Sequence, residues 1–335
     1  MDSYFVGQYS NSGLTALSVI FPVQLIITAI AVGTGVGVNT YMARMYAFGK
    51  TRAADSTAGT GTVLAVVSWA VFAVAMLLLM EPYVRTSATS LDAVSDAVLY
   101  GNIVCVGSIG IFLESIWTKV LQAGGNMRLP MLAQIAGALT NIVLDLLFVI
   151  QFNMGVAGGA WAPLIAQGMC AIASLVVMFQ RMKKLPCEPE RANMKIPLFH
   201  MTAVKRIAQI GLPSMLQQSL VSLSMMMMQG LVNSFGKVLV AGYTAATKID
   251  TLAMLPNMNF SNAMSSYTAQ NIGAGRYDRV KQGLKASLFM VVVFSLLITV
   301  IIFLFGDQLL SLFLDPGDTS GALGYGIAYM NTVSV

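Results

Sequence analysis

Long apolar runs alternate with short polar segments along the chain. Eight runs reach the roughly 20 apolar residues of a membrane-spanning helix, and they fall near 14–43, 60–80, 97–118, 130–152, 158–180, 207–234, 238–268 and 286–306. A ninth run begins in "GALGYGIAYMNTVSV". Open strands cannot satisfy their backbone groups in lipid, and the runs are too long for barrel strands. The pattern therefore predicts an all-α polytopic membrane protein.

The composition supports a membrane protein and excludes several other classes. Of 335 residues, 56% are hydrophobic and 10% are charged, whereas soluble domains carry roughly a quarter charged residues. The net charge of +5 reflects basic loops in such a chain, so we expect no nucleic-acid partner. Cys105, Cys170 and Cys187 lack metal-ligand spacing, and His200 is the only histidine. We therefore expect no disulfide framework, zinc site or organic cofactor.

The distribution of Lys and Arg predicts the orientation of the helices. Sixteen of the nineteen basic residues lie in one set of alternate loops, two lie in the opposite loops, and Lys248 lies within a span. By the positive-inside rule the first set is cytoplasmic, which places the polar segment 185–200 in the cytoplasm. The start of the chain then lies outside, so we expect that a preceding helix is missing.

A repeat relates the two groups of helices on either side of that polar segment. Residues 41–50, "YMARMYAFGK", align without a gap to residues 267–276, "YTAQNIGAGR", at an offset of 226 residues. Both segments follow a span that runs inward. The two groups are therefore predicted to be parallel repeats, as in transporters with two similar halves.

One apolar run carries a line of polar side chains. Gln134, Asn141 and Asp145 are spaced by seven and four residues, which places them on one face of a helix. An ionised Asp near the centre of a spanning helix costs about 2.5 to 3.5 kcal/mol on insertion scales. A proton, or a small hard cation held by carboxylate and amide oxygens, removes most of that cost. Asp145 is therefore a candidate ion-coupling residue; the alternative is that these residues only cross-link helices by hydrogen bonds.

Seven short segments occur in a fixed order along the chain. They are "DSYFVGQYSNSGLTAL", "YAFGKTRAA", "LQAGGNMRLPM", "GALTNIVLDLLFV", "GVAGGAWAPLIAQ", "IGLPSMLQQSL" and "AQNIGAGRYDRVKQG". Through them the chain resembles the multidrug and toxic compound extrusion (MATE) family of cation-coupled exporters, and within it the DinF-like branch. The resemblance implies twelve helices in two six-helix lobes, of which this chain contains the end of helix 1, helices 2 to 9 and the start of helix 10. It divides the chain into an N-lobe at 1–184, a linker at 185–200 and a C-lobe at 201–335.

The resemblance also implies a cation site in the N-lobe. In this branch an Asp at the end of helix 1 joins an Asn and an Asp on helix 5, and these match Asp2, Asn141 and Asp145. A Thr on helix 6 usually completes the site, but the matching residue here is Pro163. The implied coupling ion is a proton or a sodium ion, and the absence of the Thr hydroxyl favours the proton.

A second polar group lies in the predicted C-lobe. Lys248 and Asp250 are two residues apart within one span, so their side chains point to different faces. Charged residues within a span are functional candidates, although partners on neighbouring helices would make them structural. Gln217 and Gln218 stand in helix 7, where another branch of the family carries an acidic residue. Together with Gln134 these four residues are candidates for substrate binding or a second polar site.

Two further patterns are interpreted as structural. The pairs Glu114 with Lys119 and Glu81 with Arg85 lie near span ends, where they are expected to be interfacial or loop charges. The segment "AVGTGVGV", residues 31–38, lies within a span and lacks a following Lys-Ser or Lys-Thr. It predicts a close-packed helix surface rather than a phosphate-binding loop.

The sequence thus predicts a secondary transporter rather than an enzyme. The resemblance implies an antiporter that exports organic, mostly cationic, compounds across the cytoplasmic membrane of a prokaryote by alternating access, as a monomer in the lipid bilayer. The first alternative is a flippase for a lipid-linked saccharide, which shares the architecture. The second is an intramembrane enzyme with Asp145 and Asp250 as a dyad. No nucleophile–base arrangement in the sequence supports that enzyme, and His200 lies outside the spans.

Overall fold

The computed structural model of the protein describes residues 11–87, 91–152, 154–184, 199–233, 235, 237–311 and 321–333. Every regular element in these ranges is a helix. The α-helices are α1 (Asn11–Ala47), α2 (Thr51–Ser87), α3 (Leu91–Gly107), α4 (Ile109–Ala123), α5 (Arg128–Asp145), α6 (Gly155–Lys184), α7 (Met201–Asn233), α8 (Lys237–Gly273), α9 (Tyr277–Ser311) and α10 (Ala322–Val333). A π-helical segment, Leu146–Gln151, follows α5 directly. The predicted all-α fold is confirmed.

Seven segments of the described chain are long and apolar enough to cross a membrane. They match seven of the eight predicted spans, and α3 and α4 together form one of them. The predicted span 207–234 is not among the seven, although it lies in α7, a helix of 33 residues. Glutamines and serines such as Gln217, Gln218 and Ser219 lower the hydropathy of that helix.

The C-terminal ends of two helices agree with the predicted repeat. Helix α1 ends at Ala47 and helix α8 ends at Gly273, two positions that are related by the offset of 226. Gly49 and Gly275 follow these helices with φ of 70° and 69°. The Gly49 N–H donates to the Tyr46 carbonyl as the Gly275 N–H donates to the Ile272 carbonyl, both at 3.0 Å. This is the Schellman cap, in which glycine adopts the left-handed conformation without a Cβ clash.

The chain divides into two compact units, residues 1–219 and 220–335. In the first unit α4 is the central helix: it packs against α1, α2 and α6, and most of its residues are buried. In the second unit α8 packs against α9 and α10 around a small core that includes Ala246, Ile249, Leu310 and Met330. The predicted linker 185–200 lies outside the described residues except for its last two positions.

The glycines of α1 form the close-packed surface that the sequence predicts. A Cβ atom placed on Gly37 would lie 2.6 Å from the Ile207 carbonyl oxygen of α7, and one on Gly35 would lie 2.6 Å from Ser115 Oγ of α4. A Cβ on Gly33 would meet Met215 of α7. Gly33 and Gly37 are four residues apart, the spacing that lets membrane helices approach closely.

Candidate functional site

Asp145 is the last residue of α5, and its side chain is completely buried at 0% exposure. The chain continues directly into the π-helical segment Leu146–Gln151. Single π-helical turns inside longer helices are rare and are often found at functional sites. A buried carboxylate in an apolar helix therefore coincides with a local change of helical geometry. No pattern in the sequence predicted the π-helical segment.

Asn141 lies one helical turn before Asp145 and is half-buried. Its amide nitrogen is buried and donates no hydrogen bond to any residue that the structure describes. An amide group left in this way carries a desolvation cost of about 1 to 3 kcal/mol. A hydrogen-bond acceptor near this nitrogen would remove that cost, and the amide oxygen of the same side chain is a possible cation ligand.

Gln134 lies on the same face of α5 but has a different environment. It is exposed, and its Nε2 donates to Glu114 Oε1 of α4 at 3.3 Å. The polar line thus runs from an exposed Gln134 through a half-buried Asn141 to a fully buried Asp145. Asp2, the predicted helix 1 member of the cation site, lies outside the described residues.

The contacts between α5 and α6 show which residues of α6 lie at the same height along the helices as Asp145. A Cβ atom on Gly137 of α5 would meet Cys170 Sγ of α6, and one on Gly158 of α6 would lie 3.1 Å from Phe148. The two helices are therefore antiparallel, and this register places Asp145 at a level between Gly159 and Pro163. Pro163, the residue that replaces the expected Thr, therefore lies near the level of Asp145 along α6.

Pro163 changes the backbone of α6 at that level. It lies inside the helix, and proline has no N–H to donate to the carbonyl four residues earlier. The Gly159 carbonyl is therefore without its usual helical donor. The residue that removes a side-chain hydroxyl leaves a backbone oxygen available at the level of Asp145.

The close approach of α5 and α6 gives a first prediction. We expect Gly137→Ala to destabilise the protein by about 1 to 3 kcal/mol, because the new methyl group meets Cys170 Sγ. The thermal unfolding midpoint of the purified protein in detergent would measure the loss.

The matched background for this prediction is Cys170→Ala, which removes the sulfur that the methyl group meets. In that background the cost of Gly137→Ala should fall by about 1 kcal/mol or more, as a double-mutant cycle would report. An equal cost in both backgrounds would show that another contact limits position 137.

The remaining predicted site residues lie apart from this group. Gln217 is exposed and Gln218 half-buried on α7, within the first unit. In the second unit Lys248 is exposed and Asp250 is half-buried on α8, with the buried Ile249 between them. Their different environments agree with the prediction that residues two apart face different sides of the helix. Asp250 interacts electrostatically with Tyr329 of α10.

Glu114 is a polar residue of the first unit whose position sequence reasoning missed. Its Oε1 accepts hydrogen bonds from Thr118 Oγ1 at 3.0 Å and from Gln134 Nε2 at 3.3 Å. It is half-buried and lies nine residues before the end of α4. The interfacial interpretation therefore does not fit Glu114. It does fit Glu81, which is exposed and pairs with Arg85 at 2.7 Å.

Comparison with known families supports the arrangement of the helices. The MatE family model matches residues 1–147 and 213–333, which is most of the chain. The chain belongs to the MATE family. As a MATE protein it is a multi-span membrane transporter and not an enzyme, in agreement with its seven apolar segments.

Relatives of this MATE protein are known from bacteria. It is 27% identical over 321 residues to the FAD transporter of Shewanella oneidensis, a match that covers 93% of this chain and 69% of that protein. It is 28% identical over 263 residues to the probable multidrug resistance protein YpnP of Bacillus subtilis, covering 78% of this chain and 57% of that protein. The MATE chain thus spans between 57% and 69% of the length of these two relatives.

Solved MATE structures share the fold. A crystal structure of MATE in complex with MaL6 matches 99% of this chain and 73% of its own, with a TM-score of 0.89 at 23% sequence identity. An outward-facing multidrug resistance MATE family transporter matches 99% and 73%, with a TM-score of 0.88 at 24% identity. The similarity extends over nearly the whole MATE chain.

Proposed function

We propose that the protein is a cation-coupled antiporter that exports organic, mostly cationic, compounds by alternating access. The observation that carries the proposal is the fully buried carboxylate of Asp145 in an apolar helix. Relatives named as probable multidrug resistance proteins support drug export. We place the protein, as a monomer, in the cytoplasmic membrane of a prokaryote.

The physical basis of coupling is the cost of burying charge. Burying an ionised carboxylate is costly, and a bound proton or metal cation lowers that cost. The conformation that buries Asp145 is therefore stabilised when the cation is bound. A conformation that exposes Asp145 to water has no such requirement. The cation thus has a different affinity for the two states, which is what a ligand needs in order to shift a conformational equilibrium.

The coupling ion is a proton or a sodium ion, and each has support near Asp145. A proton needs only the carboxylate. Sodium needs several oxygen ligands, and Asn141, one helical turn before Asp145, offers its amide oxygen on the same face of α5. Pro163 withholds a hydroxyl but leaves the Gly159 carbonyl without its helical donor. The two ions therefore have to be distinguished by experiment.

The test is uptake of a fluorescent cationic dye into everted membrane vesicles that contain the intact gene product. In such vesicles the cytoplasmic face is outward, so export appears as dye uptake. The lumen is made acidic in one set and loaded with sodium in another. We expect dye uptake to follow one of the two gradients and to collapse when that gradient is dissipated. Uptake that is unaffected by both gradients would refute cation coupling.

A second candidate substrate is flavin adenine dinucleotide (FAD). It is favoured by the 27% identity to the FAD transporter of Shewanella oneidensis. Such a cargo is anionic and would be favoured by cationic groups within the helices; Lys119 and Lys248 each lie within a described apolar segment. Vesicles that accumulate FAD but not the cationic dye, under the same gradients, would favour this substrate.

A further inference from the structure

Glu114 lies in a built polar site that is separate from Asp145. Two side chains donate to its carboxylate, Thr118 from the next turn of α4 and Gln134 from α5. Elsewhere α4 and α5 make few contacts, so this hydrogen bond is a principal link between them. A half-buried carboxylate inside a spanning segment is a functional candidate by default, and the coupling described above does not use it.

The position of Glu114 relates it to Asp145. Gln134, its hydrogen-bond donor, lies on the same face of α5 as Asn141 and Asp145 and precedes Asp145 by eleven residues. At a rise of 1.5 Å per residue the two levels are roughly 16 Å apart. The positive-inside rule places the start of α5 on the cytoplasmic side. The Glu114 site is therefore the cytoplasmic end of the polar line, and Asp145 is nearer the outside.

Glu114 has a charged and a titratable neighbour within the first unit, and a nearby positive charge weakens the binding of a cation to a carboxylate. Lys119 is half-buried on the same helix and interacts electrostatically with Glu114. The two side chains are not among the direct ion pairs of the described residues. The Lys119 stem lies beside α1, since a Cβ on Gly35 would be 3.1 Å from Lys119 Cγ. From α6, Cys170 lies near enough to Glu114 for the two groups to repel each other if both were ionised, and its thiol donates to the Ala133 carbonyl at 3.1 Å.

We propose that Glu114 is a second binding site for the coupling cation, on the cytoplasmic side of the polar line. A cation released from Asp145 binds the Glu114 carboxylate before it enters the cytoplasm. Lys119 competes for the same carboxylate as a tethered ammonium group and thereby promotes release. This inference rests on the proposed function, because it assigns a further step to the same coupling ion.

The test measures inhibition of transport by the coupling cation from the cytoplasmic face. Dye is added to everted vesicles whose lumen contains a saturating concentration of the coupling cation. The pH and the sodium concentration of the outer solution, the bath, are then varied one at a time. For Glu114→Gln we expect the bath cation concentration that halves the initial rate to rise by about tenfold or more. Glu114→Asp keeps the carboxylate and should keep the wild-type response.

The matched control is Glu81→Gln, the same substitution at an exposed residue paired with Arg85. It should respond as the wild type does. A wild-type response of Glu114→Gln to both bath cations would overturn the inference. So would a rate that falls equally at all bath concentrations together with a lower unfolding temperature, because that result indicates a structural role. If Asp145→Asn loses gradient-driven uptake while Glu114→Gln behaves as the wild type, the proposed function stands and only the second site is refuted. Absence of gradient-driven uptake in the wild type would refute both.

Discussion

Asp145→Asn is expected to reduce gradient-driven dye efflux by about 100-fold or more. The expectation follows from the cost of taking an ionised carboxylate out of water, which is still on the order of several kcal/mol per ion in proteins, since each 1.4 kcal/mol is a factor of ten. An amide has nearly the same shape as the carboxylate but needs no neutralising cation. The burial of position 145 would no longer depend on the ion, and the gradient would lose its effect on the conformational equilibrium. Initial rates of dye uptake in everted vesicles would measure the loss.

The variant should still fold, because it removes a buried charge without changing the packing of α5. Its amount in the membrane and its unfolding temperature should equal those of the wild type. Asp307→Asn is the matched control, since Asp307 is exposed near the end of α9, and it should retain efflux. If Asp145→Asn is folded and transports at the wild-type rate under the same gradient, Asp145 is not the coupling residue.

Gly37→Ala is expected to destabilise the first unit by about 1 to 3 kcal/mol. The added methyl group would lie 2.6 Å from the backbone carbonyl oxygen of Ile207, and a backbone atom cannot rotate away as a side chain can. The helices α1 and α7 would have to separate, with loss of the neighbouring contacts around Gly33 and Gly211. The unfolding midpoint in detergent and the yield of folded protein should both fall.

The same substitution at an open position separates packing from helix propensity. Gly168 also lies inside a helix of the first unit, but a Cβ there would have no neighbour within 4 Å. Gly168→Ala should be neutral or stabilising by about 0.5 to 1 kcal/mol, because alanine favours the helix. Equal unfolding midpoints for Gly37→Ala and Gly168→Ala would contradict close packing between α1 and α7.

Properties that depend on residues close together in the sequence, or on a match between two segments, could be predicted from the sequence. The length of an apolar run and the requirement for internal backbone hydrogen bonds predict spanning helices. The ten-residue match at an offset of 226 predicted a repeat, and the ends of α1 and α8 with their glycine caps agree with it. The helical period placed Gln134, Asn141 and Asp145 on one face before any packing was known. The segment 31–38, which contains Gly33 and Gly37, was predicted to be a packing surface because it is rich in glycine and lies within a span.

The tertiary structure decided what these faces contact. The Glu114 hydrogen bond to Gln134 joins residues 20 positions apart on two helices, and Gly37 meets Ile207 across a much longer separation. The π-helical segment after Asp145 and the register between α5 and α6 also became visible only in the fold. The reason is physical. A helical period determines the direction of a side chain on its own helix, whereas its neighbour is determined by the register between two helices, and that register results from the packing of the whole unit.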